Sequence, residues 1–262
     1  MSLPLFKHLT KQNWVLFTIF AGLMMFYLLV LILIYPTMTS MVDMFDQFPE
    51  LFDGVYGMEG WETAMTYTAS FYSKSLVFAF SMIFYIMLSN KLVNKTVSNT
   101  SLSSYLSTSL SRTKYIVTCG IFFAVSIITI FVLMWLIGGA VLLAFGTYNF
   151  ALWTNVIVST LLCSLAVAFI SFFFSCIFAG NGIGQALLIG VPILFLVFTM
   201  LYDMSSALNF MKYMTPFGWI DALEIAQGTS GLWWLWDIIY AAIIGTMFTL
   251  SVIIFKRKQL SI

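Results

Sequence analysis

The sequence predicts an all-α integral membrane protein of six transmembrane helices with both termini on the cytoplasmic side. Three observations predict it. Of 262 residues, 61% are apolar and only 8% charged, about a third of the charge of a soluble domain. A stretch from Tyr115 to Tyr202 contains no charged residue, although a central Asp, Lys or Arg costs about 2.5–3.5 kcal/mol on insertion scales. The basic and acidic residues also separate cleanly once six spans are drawn. The whole chain, 1–262, is therefore read as one transmembrane domain. This composition excludes a disordered chain and a soluble enzyme.

The first span is read at about 14–35, the uncharged run from Trp14 to Tyr35. At about 1.5 Å per residue this crosses a core of about 30 Å. It exceeds a signal-peptide core of about 7–15 residues, and no small-x-small cleavage site follows, so it is read as a retained span. Ahead of it, Phe6, Leu9 and Asn13 fall on one helical face, with Lys7 and Lys11 on another. That pattern fits an amphipathic N-terminal helix at the interface or a plain basic topology anchor. Residues 36–70 are acidic and broken by Pro36, Pro49, Gly54, Gly57 and Gly60.

The second span is read at about 71–90, with Lys74 near its start snorkelling to the interface. Lys91 to Lys114 is polar, rich in Ser and Thr, and basic without an acid. The charge-free stretch is then cut at Gly138-Gly139, at Gly146 to Asn149 and at Gly180 to Gly184. This yields spans at about 116–138, 151–178 and 185–202, with Pro192 loosening the last. Segment 203–232 is too apolar for a free loop. It is read as a re-entrant helical hairpin, with Ser205-Ser206 as a cap, Pro216 as the interruption and a turn or two over Asp221 to Gln227 before Gly228. Span six is read at about 233–255, with Trp233, Trp234 and Trp236 as an aromatic belt.

On this count the inner segments hold nine of the eleven Lys and Arg residues, and the outer segments hold all ten acids with Lys74 and Lys212. That satisfies the positive-inside rule. An odd-numbered shift would place the terminal Lys256-Arg257-Lys258 outside.

The chemistry expected of the chain is narrow. It lacks the Gly-x-x-x-x-Gly-Lys-Ser/Thr phosphate loop, and Gly180 to Gly184 is read as a turn between spans. His8 is the one histidine, and Cys119, Cys163 and Cys176 sit inside apolar runs without ligand spacing, so no metal site is expected. Ser81, Ser126, Ser164, Ser171 and Ser175 are read as helix-bonded hydroxyls, not nucleophiles. No catalytic or cofactor-binding residue is assigned, and nothing points to nucleic acid. An ion-gradient-driven transporter or channel acting alone is weakened by the lack of an acid or base in mid-span, but carbonyl-based ion sites keep it open.

The loop between spans two and three carries Asn99-Thr100, Tyr105-Leu106-Ser107, Ser111-Arg112 and Lys114, and the chain closes on Phe255-Lys256-Arg257-Lys258-Gln259-Leu260. Thr215-Pro216-Phe217-Gly218-Trp219 precedes span six. In these segments and in its six-span plan, the chain resembles the membrane (permease) subunits of type-2 ATP-binding cassette (ABC) transporters. Ser109 stands where that family often has Pro, and Asn99 where Gly is common.

The resemblance implies one half of a membrane dimer, formed with an identical or a paralogous second permease subunit. It implies two copies of a separate ATPase carrying ATP and Mg, so that this chain is not itself an enzyme. The loop at 96–108 would form a short cytoplasmic coupling helix. Thr100, Leu102, Tyr105, Leu106, Arg112 and Lys114 would meet the ATPase. Spans two and five would line the path through Phe78, Ser81, Met82, Tyr85, Gln185, Leu188 and Phe195. The Met- and Phe-rich wall suits export of hydrophobic or amphipathic cargo such as peptides, lipids or drugs, though the same residues could simply face lipid. The implied location is a bacterial plasma membrane, with the chain passing through it several times.

Overall fold

A computed structural model describes residues 2–45, 62–72, 76–98, 111–204 and 206–258. In chain order the helices are α1 (Leu3–Phe45), α2 (Ala64–Tyr72), α3 (Leu76–Ser89), a π turn (Asn90–Asn94), α4 (Lys95–Ser98), α5 (Arg112–Ala144), α6 (Phe150–Ile177) and α7 (Gly182–Met204). Two 3-10 segments follow, Ser206–Met214 and Pro216–Trp219, then α8 (Ala222–Gln227) and α9 (Trp233–Arg257). Among the described residues there is no strand. Six stretches are long and apolar enough to cross a membrane: Leu3–Met38, Val77–Val97, Arg112–Ala144, Phe150–Ile177, Gly182–Tyr202 and Trp233–Arg257.

Helix α6 is the centre of the bundle. Of its most apolar window 72% is buried, against 22% in α7 and 17% in α9. Its buried residues, from Trp153 through Cys163, Ala166, Val167, Ala168 and Phe172 to Cys176, cover nearly its full circumference, as a helix surrounded by protein requires. It packs against α9, α7, α3 and α5. Helices α7 and α9 present Ile189, Ile193, Val197, Met200, Ile238, Ile239 and Ile253 outward, the apolar exterior of a helix facing lipid.

The spans differ from the sequence expectation in three ways. First, Leu5 to Trp14 is no separate interfacial helix. It forms the first turns of α1, because Leu5, Leu9 and Asn13 bury against the bundle, Phe6 sits edge-on to Phe122 at 5.5 Å and the Ser2 backbone N–H donates to Thr118 Oγ1 at 2.9 Å. The same helix runs on through Pro36 to Phe45; a proline removes only one helical hydrogen bond, and the helix survives it. Second, span two lies later than 71–90. Phe71 and Tyr72 belong to α2, and the helix continues past Asn90 because Leu92 and Val93 inside the polar segment extend its buried face.

Third, Gly138-Gly139 does not end span three. A Cβ on Gly138 would stand 2.7 Å from Trp153 Cζ2 and 2.9 Å from Leu28 Cδ2, so this glycine admits neighbouring helices, as small residues do between membrane helices. The expected turns at Gly146 and Gly180 are present, both with left-handed φ (70° and 81°), where glycine carries no Cβ penalty. Asn149 caps α6, its Oδ1 accepting from the N–H groups of Ala151 and Leu152.

Candidate functional site

One end of the bundle gathers the segments assigned to the inner side. Lys258 Nζ donates to the carbonyls of Ile177 (2.8 Å) and Ala179 (3.0 Å). These are carbonyls left unpaired at the end of α6, where the helix dipole also favours a cation. Burial pulls the Lys258 pKa below its ordinary value. Arg112 donates to the Lys258 carbonyl at 2.9 Å, tying the start of α5 to the end of α9. Lys91 Nζ reaches the Gln12 carbonyl at 3.1 Å, and Gly180 lies against Val97. The N-terminus, the end of span two, the start of span three, the α6–α7 turn and the chain's basic close thus form one basic rim. Of the coupling residues expected from the resemblance, Arg112 and Lys114 open α5 on this rim. Thr100, Leu102, Tyr105 and Leu106 lie outside the described residues, as do Lys74 and Ser205.

Directly above this rim is the π turn, in a polar seam between spans two and four. Ser89 Oγ and Ser175 Oγ are 2.8 Å apart and buried. Asn94 is 1% exposed, and neither its Oδ1 nor its Nδ2 has a hydrogen-bond partner. The widened turn interrupts the regular ladder in the same place that a buried amide goes unpaired. An unsatisfied buried polar group costs about 1–3 kcal/mol. The apolar run had already ended at Asn90, so sequence periodicity gave no sign of this turn.

The expected path residues divide between two surroundings. Phe78, Ser81, Met82 and Tyr85 are all buried on the inward face of span two. Phe78 packs on Phe217 with ring centroids 4.5 Å apart, Ser81 donates to Met24 Sδ at 3.9 Å, and the Tyr85 hydroxyl has no partner. The gap bounded by Met24, Ser81, Phe84, Tyr85 and Phe131 has no room for water. On α7, Leu188 is buried and Phe195 half-buried, whereas Gln185 is exposed. Spans two and five touch through α3 and α7.

The opposite end carries the hairpin. Residues 206–227 form the two 3-10 segments and α8. Asp221 caps α8 through Oδ1 to the N–H groups of Leu223 and Glu224, and Gly228 closes it at φ 73°. Phe217, Leu223 and Ile225 dock inward, while Phe210, Tyr213 and Met214 are 58%, 69% and 53% exposed. Trp219 lies across Trp236 (5.3 Å) and Tyr240 (5.7 Å) of α9. The Tyr240 hydroxyl and Cys163 Sγ both point to the Pro216 carbonyl, at 2.6 and 3.5 Å, which fixes the hairpin to spans four and six. Between the hairpin and the start of α9 is a cavity of about 410 Å³.

Asp237 is the residue that sequence reasoning missed. Grouped there with the outer acids, it lies in the second turn of α9. Its Oδ2 accepts from Ser159 Oγ of α6 at 3.0 Å, and its buried Oδ1 has no partner. The available signal was its place four residues inside an apolar run, where an ionisable group marks a functional site by default.

Among the described residues no three His, Cys, Asp or Glu side chains gather as a metal site, and all three cysteines are buried thiols. No family model, curated protein or solved structure matches the chain. The geometry describes a helical, multi-pass membrane protein with a basic rim at one end and an acidic, aromatic cap at the other.

Proposed function

We propose that the chain is the permease subunit of an ABC transporter, which pairs with a second permease subunit and two copies of an ATPase to export hydrophobic or amphipathic cargo. The observation that carries this reading is the basic rim. The described parts of the segments that an even span count puts inside meet there, through the Lys258, Arg112 and Lys91 hydrogen bonds. The sequence has no phosphate loop to supply energy itself. The polar segment 91–114, whose described ends Lys95–Ser98 and 112–114 border this rim, is the natural seat for an energising partner. It connects to the π turn at Asn90–Asn94, so a push on the loop would act directly on the polar seam inside span two. The closed packing around Phe78, Ser81 and Tyr85 then represents the resting bundle, which ATP-driven rearrangement would part.

The test is purification of the protein from its own membrane together with whatever binds it. A Walker-motif ATPase is expected in the complex, and replacing Tyr105 and Leu106 by Asp is expected to release it without impairing insertion. Transport by the pure chain in the absence of an ATPase would overturn the reading. Asp237 favours a second one, an ion-gradient-driven carrier. Flux through the isolated protein that follows a proton or sodium gradient and stops in Asp237→Asn would establish it instead.

A further inference from the structure

The cavity under the hairpin has a lining that neither the permease reading nor its packing role explains. Tyr213, Trp219, Trp233 and Trp236 supply four aromatic rings to one space of about 410 Å³, a volume within the range of small-molecule sites. Asp221 and Glu224 also line the cavity, and Lys212 is the one basic lining residue, which leaves the lining net negative. One Asp221 oxygen is engaged in capping α8, whereas Glu224 is exposed. Phe210 and Met214 are exposed on the same 3-10 segment as the lining residues Lys212 and Tyr213, so that segment carries apolar surface beside the cavity lining.

Aromatic faces and carboxylates together attract cations and repel anions. The ring quadrupole contributes about 0.5–1 kcal/mol at exposed sites and more where water is excluded. We propose that this cavity is a binding site for an amphipathic organic cation: its ammonium head lies among the Trp rings beside Glu224, and its apolar body lies along Tyr213, Phe210 and Met214. The site stands on the cavity itself and does not require an ATPase partner. Two sources offer this chemistry, a free cationic amphiphile and the choline ammonium of a lipid headgroup.

The full-length protein in uncharged maltoside micelles is titrated with benzyltrimethylammonium and, separately, with benzylsulfonate, and binding is followed by saturation-transfer NMR. Saturable binding of the cation is expected, with none of the anion. Glu224→Gln and Trp233→Leu are each expected to weaken binding about threefold, the scale of one exposed charge or cation–ring contact. Repeating the titration in phosphatidylcholine nanodiscs separates the sources. Loss of the cation signal there identifies the lipid ammonium as occupant, and its persistence identifies a free ligand. Binding of benzylsulfonate equal to that of the cation, or unchanged affinity in both variants with their thermal melts intact, overturns the proposal.

Discussion

Gly138 shows how one residue can carry opposite meanings in a sequence and in a packed bundle. A Gly-Gly pair in an apolar run reads as a break, since glycine weakens helices. In the bundle it lies where α5, α1 and α6 approach closely, and the indole of Trp153 occupies the place of the missing side chain. Trp153 is itself fixed, its Nε1 donating to the Trp135 carbonyl at 3.2 Å, so it cannot simply move away. Gly138→Ala is therefore expected to destabilise the protein by about 1–3 kcal/mol, the usual cost of overpacking, despite the better helix propensity of Ala. A thermal melt in detergent checks this, and an unchanged or raised midpoint would show that the indole yields. Asp237 carries the same lesson in reverse. Its tryptophan-rich surroundings resemble a headgroup belt, and only the position of Ser159 on a neighbouring helix reveals that one carboxylate oxygen is held inside the bundle.

Elements were legible where local chemistry ends them and illegible where tertiary contacts extend them. Helix α8 belongs to the first kind: Asp221 before it and Gly228 after it are the cap residues a helix of this length needs. The start of α6 at Asn149 and the turn at Gly180 were also visible in the sequence. The extension of α3 through the π turn was not, because Leu92 and Val93 sit between lysines, and only burial against the bundle shows which face they serve. Helix α8 is also the element whose cap can be tested alone. Asp221→Ala removes the one oxygen that accepts from both N–H groups and is expected to cost about 0.5–2 kcal/mol. Amide hydrogen exchange over 222–227 should then quicken by roughly twofold to thirtyfold, while Asp221→Ser retains the slow exchange. Equal exchange in Ala and wild type would mean that docking of Leu223 and Ile225, not the cap, holds the segment.

At the scale of the whole molecule, six spans and one basic rim make a prediction about sidedness that does not depend on any proposed cargo. Each Lys or Arg beside an anionic inner leaflet contributes about 1 kcal/mol, so the nine-to-two division of basic residues expected from the six-span count outweighs any single loop. The three native cysteines are fully buried, which leaves an almost silent background for introduced thiols. Thr229 on the hairpin side and Lys256 on the rim are both exposed, and neither side chain packs in the core. With a membrane-impermeant maleimide on intact cells, Thr229→Cys is expected to label at once, and Lys256→Cys only after the membrane is opened. Failure of α9 to cross would place both positions on the same side of the membrane, and an odd total of crossings or an inverted bundle would exchange them. Either pattern would remove the inner docking surface on which an ATP-driven mechanism depends, and it would leave Asp237 and the aromatic cavity as the functional features to explain.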